Sequence, residues 1–335
     1  MTRNTNEYSQ TGSNASSNTG SNTSPHHSQI EDDEIDLREL FATIWAGKLL
    51  IIGITSLFAV LAVVYALMQP NIYRSEALLS PVQAGDSASS LASKFGGLAS
   101  LAGVSLPGGG GADKTAFAIE YIKSRAFLTT FINKHPDVLP ELMAIDKWNA
   151  GNNTISYDTE IFDAETGEWV REVNFPKQPK PSVQEAHIVF KQQLSIAQDK
   201  DSGFVTLAIE HQSPYVAEKW VSWLIKDVND ALRDNDVAQA ERSIEYLQSE
   251  INNTSLSEMR SSLFDLVQSQ TQTIMLANAS PEYIFKTLDP AVVPELKAKP
   301  KRALIAVLGT MLGGMLGVLI VLVRYFMNKD EGAEA

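Results

Sequence analysis

Two long apolar runs dominate the pattern of hydrophobic and polar positions along this chain. Residues 49–68 and residues 303–323 contain no charged side chain. Each is long enough to cross a hydrocarbon layer about 30 Å thick, so both predict transmembrane helices. The first lies behind almost fifty polar residues, too deep for a cleavable signal peptide, and no small-residue cleavage site ends it. It reads as a retained anchor.

Between and around these runs the periodicity changes several times. Residues 1–29 are mostly Ser, Thr and Asn, with nothing to bury, and predict a disordered tail that holds the His26–His27 pair. Residues 30–48 place Ile35, Leu37, Leu40, Phe41, Ile44 and Trp45 at helical spacing behind an acidic turn, an amphipathic lead-in with Trp45 and Lys48 suited to a membrane edge. After the first run, "NIYRSEALLSPV" alternates as a strand does. A Gly/Ala/Ser-rich stretch from Gly85 to Lys114 predicts a mobile loop. It is no phosphate loop, because Asp113 stands where that pattern needs glycine.

A helix is predicted from Asp113 to the breaker His135–Pro136, and a hairpin around Glu165–Thr166–Gly167. Ser182 with Glu185 predicts a capping box, and "GFVTLAIEH" a core strand with Val205, Leu207 and Ile209 on one face. Ser213–Pro214 then opens the longest helical pattern, about 214–277, with Asn252–Asn253–Thr254 as a bend. Roughly 60 helical residues would reach on the order of 90 Å, so this helix is expected to project from its domain. Before the second run, Pro290, Pro294 and Pro300 predict a stiff, extended approach.

The fold class expected is α+β: two transmembrane helices flanking an α/β domain, residues 69–302, that lies close to the membrane and carries a long extended helix. A short tail, 324–335, follows the second helix. Charge placement gives two answers on orientation. Arg38 and Lys48 before the first run, against Arg74 after it, favour a cytoplasmic N-terminus, whereas Lys297, Lys299, Lys301 and Arg302 before the second run point the other way. The first helix usually dominates, which favours an extracytoplasmic domain.

Composition narrows the function. The chain has 27 Lys and Arg against 40 Asp and Glu, a net charge of −13, which argues against nucleic acid as a partner. It has no cysteine, which removes thiol nucleophiles, thiolate metal sites and disulfides. His135, His187 and His211 are scattered singly, no triad, carboxylate pair or metal spacing stands out, and no cofactor is implied. The second apolar run carries Gly309, Gly313 and Gly317 four residues apart, on one slowly drifting helix face. Gly53, Ser56, Ala59 and Ala62 offer small side chains in the first run, and the two sets are expected to pack, within a subunit or between subunits.

The layout "IDLRELFATIWAGK", an apolar span, "ALMQPNIYRSEALLSPV", and a close in "PAVVPELKAKPKRALIAVLGTMLGGMLGVLIVLVR" resembles the Wzz-type chain-length determinants, the polysaccharide co-polymerases of the bacterial inner membrane. Pro70, Tyr73 and Ser75 after the first span, and the proline-rich approach to a glycine-rich second span, are its most specific parts. The resemblance implies cytoplasmic termini, a periplasmic domain and a homo-oligomer among inner membrane lipids. It implies a non-enzymatic regulator that sets the length of a glycan such as lipopolysaccharide O-antigen, with a membrane polymerase and a lipid-linked glycan as partners. Two other readings stand beside it. One is an export partner of a cytoplasmic tyrosine kinase, although residues 324–335 hold no phosphate loop. The other is an efflux adaptor, which would need two matched long helices.

Overall fold

The computed structural model describes residues 37–82 and 110–333. The polar tail with His26–His27, the first part of the lead-in and most of the Gly/Ala/Ser-rich stretch lie outside the described residues. The chain divides into two compact units, one of Met1–Thr55 with Gly313–Ala335, the other of Ser56–Leu312.

The larger unit is built on an antiparallel sheet. Strand β1 (Ile72–Pro81) is central and pairs along one edge with β7 (Val205–His211), which pairs in turn with β6 (Leu194–Gln198). Its other edge is shared by β8 (Phe285–Asp289) and β9 (Lys297–Lys299). Alternation decides which face is covered. Ser75, Ala77 and Leu79 of β1 are buried, as are Val205, Leu207, Ile209 and His211 of β7, and the register sets Ser75 opposite Ile209 and Ala77 opposite Leu207.

Helices close over that face: α3 (Gly110–Ile122), α4 (Arg125–Lys134), α5 (Val138–Met143), α6 (Val183–Gln193) and the first turns of α7 (Pro214–Asn253). Phe131 packs edge-on to Trp220 at 6.4 Å between ring centroids and tilted to Phe190 at the same distance, and all three rings are fully buried. Two small hairpins, β2–β3 (Ile145–Asn149 with Thr154–Tyr157) and β4–β5 (Phe162–Asp163 with Glu168–Trp169), lie between α5 and α6 in sequence.

Helix boundaries follow local chemistry. Ser182 and Glu185 form a reciprocal capping box at α6, and Ser213 caps α7 with Pro214 at its start. Arg171 grips both carboxylate oxygens of Glu185 at 3.0 Å, and this bidentate bond holds the Glu185 carboxyl down at about 2. The helix expected to run unbroken from Asp113 to His135 is two helices, because Ser124 accepts a hydrogen bond from Phe127 N and starts a new one.

The long helix expected over about 214–277 also breaks. α7 ends at Asn253, Thr254 and Leu256 are extended, and α8 (Ser257–Ala279) folds back along α7. Asn252, Asn253 and Thr254 are poor helix formers whose side chains compete for the backbone, so a bend there develops into a reversal. The long element is therefore α7, on the order of 60 Å at 40 residues, with the 23-residue α8 folded back along its far part, not a single rod of 90 Å.

Two helices are long and apolar enough to cross a membrane, α2 (Lys48–Met68) and the first 26 residues of α9 (Arg302–Ala333). The amphipathic lead-in contributes α1 (Leu37–Ala46). No proline interrupts α9, which runs helical through most of the segment expected as a tail.

Candidate functional site: the helical arm and the paired apolar helices

The arm is rooted by buried polar groups on α7. Glu141 of α5 is buried and accepts from Lys219 Nζ at 2.7 Å and from Trp220 Nε1 at 2.8 Å. Its backbone oxygen bonds His211 Nε2 at 3.0 Å, while Ser213 N donates to His211 Nδ1. That pair of bonds assigns the proton to Nε2 and leaves the ring neutral, in keeping with the burial that pushes its pKa down. Two turns further along, Asp227 takes Lys134 and His135, and His135 stacks flat on Trp223 at 3.9 Å.

Asn229 is next and uses its whole side-chain amide. Its oxygen accepts from Ile284 N and Phe285 N at 2.7 and 3.0 Å, and its nitrogen donates to Ile225 O and Phe285 O. Asp236 closes the series, accepting from Tyr283 Oη at 2.6 Å and Lys114 Nζ at 2.8 Å. These bonds tie the chain leaving α8 back to the root of α7. Beyond them the arm is largely open: Tyr246, Met259, Phe264, Met275 and Leu276 are all more than half exposed. A groove of about 460 Å³ runs between the two helices, lined by Gln239, Arg242, Tyr246, Leu266 and Gln270.

The small residues of the apolar helices fall into contact in part. In the larger unit, a Cβ at Gly309 would lie 2.3 Å from the Cβ of Ala62 and 3.7 Å from Phe58 O. The same unit bonds Arg302 Nε to Ala66 O at 3.1 Å. In the smaller unit, a Cβ at Gly317 would lie 3.1 Å from the Cα of Ile51, one at Gly314 would lie 3.7 Å from Thr55 Oγ1, and one at Gly47 would strike Val321. Gly313 is buried and Ala59 half-buried. Gly53 and Ser56 are exposed, and a Cβ at Gly53 would meet nothing within 4 Å.

The difference is geometric. Positions 309, 313 and 317 recur every four residues and stay on one face, whereas 53, 56, 59 and 62 recur every three and spiral away. Nine residues at about 100° each set Ala62 on the opposite side of the helix from Gly53. The contacts on α2 instead fall to Ile51 and Thr55 in one unit and to Phe58, Ala62 and Ala66 in the other. The proline-rich approach lies along the sheet edge, where Ser75 Oγ donates to Val292 O at 2.8 Å between Pro290 and Pro294, and the Lys299–Pro300 bond is cis just before α9. The root residues Glu141, Asp227 and Asn229 escaped sequence reasoning, since their partners lie 55 to 93 residues away. The signal open to it was a carboxylate or amide at an apolar position of a helix.

The family model described as chain length determinant protein, Wzz, matches residues 33–135. A second, GNVR, the G-rich domain on tyrosine kinases, matches residues 254–326. No curated protein matches the chain. Among solved structures, a full-length bacterial polysaccharide co-polymerase is similar at 14% identity, over 88% of this chain and 99% of that one, with a TM-score of 0.37. A fragment of WzzB, a polysaccharide co-polymerase from Salmonella Typhimurium, is similar at 11% identity, over 68% of this chain and 100% of that one, with a TM-score of 0.26. The first family match takes in α1, α2, β1, α3 and α4, including Pro70, Tyr73 and Ser75, and the second runs from α8 through the prolines into the glycines of α9. Residues 33–135, then, match the model of the Wzz chain length determinant family, a stretch of about a third of the chain.

Proposed function

We propose that this chain sets the length distribution of a surface polysaccharide such as O-antigen, as a non-catalytic oligomer that works with a separate membrane polymerase. The observation that carries the reading is the chain length determinant match across the lead-in, the first apolar helix and the strand after it. The chemistry of the root supports it: Glu141, Asp227, His135 and His211 are all engaged in bonds that hold α7, an arrangement suited to bracing an arm rather than to moving protons. Several arms side by side would present a tall surface to a growing glycan. Multivalent retention on such a surface favours continued extension until the polymer outgrows it.

The test is a gel of surface polysaccharide from a strain lacking the protein, before and after its gene is restored. Restoration is expected to turn a random spread of lengths into a modal band. A second reading, an export partner of a cytoplasmic tyrosine kinase, is favoured by the match of residues 254–326 to the kinase-associated domain. It predicts instead that total polymer vanishes and returns, and that a kinase co-purifies.

For location we propose the inner membrane, with both termini cytoplasmic and residues 69–302 periplasmic. Part of the basic run that opposes this orientation is tied into the fold, since Lys299 pairs with Glu210 at 2.6 Å and Arg302 bonds Ala66 O. The absence of native cysteine makes the check direct. Ser261→Cys on the exposed arm should react with a membrane-impermeant maleimide in spheroplasts, and Ser16→Cys only after lysis. The reverse pattern would invert the topology.

A further inference from the structure

The place where β1 and β9 meet the apolar helices gathers cations that have no counter-ion among the described residues. Lys297 Nζ and Arg302 Nη2 converge on one neutral acceptor, Asn71 Oδ1, at 3.4 and 3.1 Å. Among the described residues no carboxylate lies within 4.0 Å of Lys297, Lys301 or Arg302. Their neighbours differ: Lys299 is paired with Glu210, and Arg74 with Glu76 at 3.1 Å. Uncompensated positive charge at the end of an apolar helix favours phosphate, and the planar guanidinium of Arg302 suits it best.

A second feature adjoins the first. Lys297 is the cross-strand partner of Tyr73, so both side chains project from the same face of the sheet. The Tyr73 ring stands edge-on to Trp148 at 5.5 Å, and Trp148 lies 6.4 Å from Tyr215, which is 48% exposed. On the β2–β3 hairpin, Asn153 Oδ1 accepts from Trp148 Nε1 at 2.9 Å. Aromatic rings with an amide beside them present an apolar surface next to a polar group, the mixed lining that binds the face of a sugar ring and orients its hydroxyls.

Read outward from α2 and α9, the order is apolar helix, cations and aromatic rings. We propose that this junction binds a phosphorylated glycolipid, with its chain along the apolar helices, its phosphate on Lys297, Lys301 and Arg302, and its first sugar against Trp148 and Tyr215. The inference rests on the polysaccharide reading and gives it a site of contact with a lipid-borne saccharide. The cations alone would attract any anionic headgroup, so the aromatic half is what makes the site selective.

The experiment measures dissociation constants for the full-length protein in neutral detergent against three probes. These are a polyprenyl diphosphate bearing one N-acetylglucosamine, the same polyprenyl diphosphate without sugar, and dioleoylphosphatidylglycerol. The saccharide probe is expected to bind about tenfold more tightly than phosphatidylglycerol, and Lys297→Gln with Lys301→Gln to weaken both diphosphates by about tenfold. Trp148→Ala should reduce the saccharide probe to the level of the bare diphosphate, and Tyr215→Ala, at a more exposed ring, should do so in part without lowering the melting temperature. Equal affinity for the saccharide probe and phosphatidylglycerol, or no effect of the double lysine variant, overturns the site. The polysaccharide gel is independent of these binding constants: failure to restore a modal band removes the chain-length function and leaves the lipid site standing, whereas loss of the binding differences removes the site alone.

Discussion

Gly309→Val is expected to replace the modal polysaccharide band with a random spread of lengths while the protein is still made. Even the first carbon of the new side chain would sit 2.3 Å from the Cβ of Ala62, where carbon atoms settle at about 3.5–4.0 Å. Ala62 belongs to a helix and cannot rotate away, so the two backbones must part by more than about 1 Å. In lipid there is no hydrophobic drive to pull them together again, because small-residue packing is itself a main source of attraction. Cross-linking should show smaller or heterogeneous assemblies alongside the broadened band. Gly309→Ala should be milder, and Ala62→Gly should suppress it by returning the lost volume. An unchanged band and assembly size in Gly309→Val would remove this face from the mechanism. Gly53→Leu is the informative companion, since nothing within 4 Å opposes a side chain there. It should be silent within one chain. A broadened band from Gly53→Leu with normal melting would instead place that face against a neighbouring subunit.

Much of the architecture was legible because its signals are local. The first apolar run, the strand "NIYRSEALLSPV", the capping box of Ser182 and Glu185 and the Ser213–Pro214 start of α7 each sit within a few residues, where periodicity and capping chemistry are decisive. The breaks were harder. Ser124 starts α4 without a glycine or proline to announce it, and the reversal at 254–256 uses only Thr, Ser and Leu. A helical period continues across both. The β2–β3 hairpin did carry a signal, the run Gly151–Asn152–Asn153, and Asn153 takes the left-handed conformation at φ 52° that asparagine tolerates. For the glycines, spacing placed the α9 stripe on one face, but three-residue spacing on α2 assembled a set that its helix winds apart.

The candidate functional residues were least legible where they depend on distant partners. Nothing in "LPELMA" marks Glu141 as the acceptor for an indole 79 residues away, and Asn229 reads as one polar residue among many on a long helix. Their roles exist only once α5, β7, β8 and α7 are assembled. The same holds for the junction of Lys297, Arg302, Asn71 and Tyr73, whose members come from two ends of the sequence. The basic run was visible, but which of its cations the fold neutralises was not.

Glu141→Ala is expected to be the most damaging single change in the larger unit, at roughly 3–5 kcal/mol, the scale for removing one partner of a buried ion pair. Two groups lose their acceptor at once: the indole N–H of Trp220, whose side chain is fully buried, and the ammonium of Lys219, whose side chain is two-thirds buried. For a unit of this size that corresponds to a fall of about 6–20 °C in melting temperature. Glu141→Gln should cost less, because an amide oxygen can still accept from Trp220 while only the charge opposite Lys219 is lost. Lys219→Met then tests the partition. It leaves a carboxylate facing only Trp220, so it should destabilise on its own, whereas combined with Glu141→Gln it should cost less than the sum, because neither charge is left unpaired. Melting curves of the four full-length proteins give the result. Additive losses would mean that the charges of Glu141 and Lys219 contribute independently of each other. A shared loss would mean that the two charges act as a pair across α5 and α7, so that whatever breaks this pair loosens the root from which the arm departs.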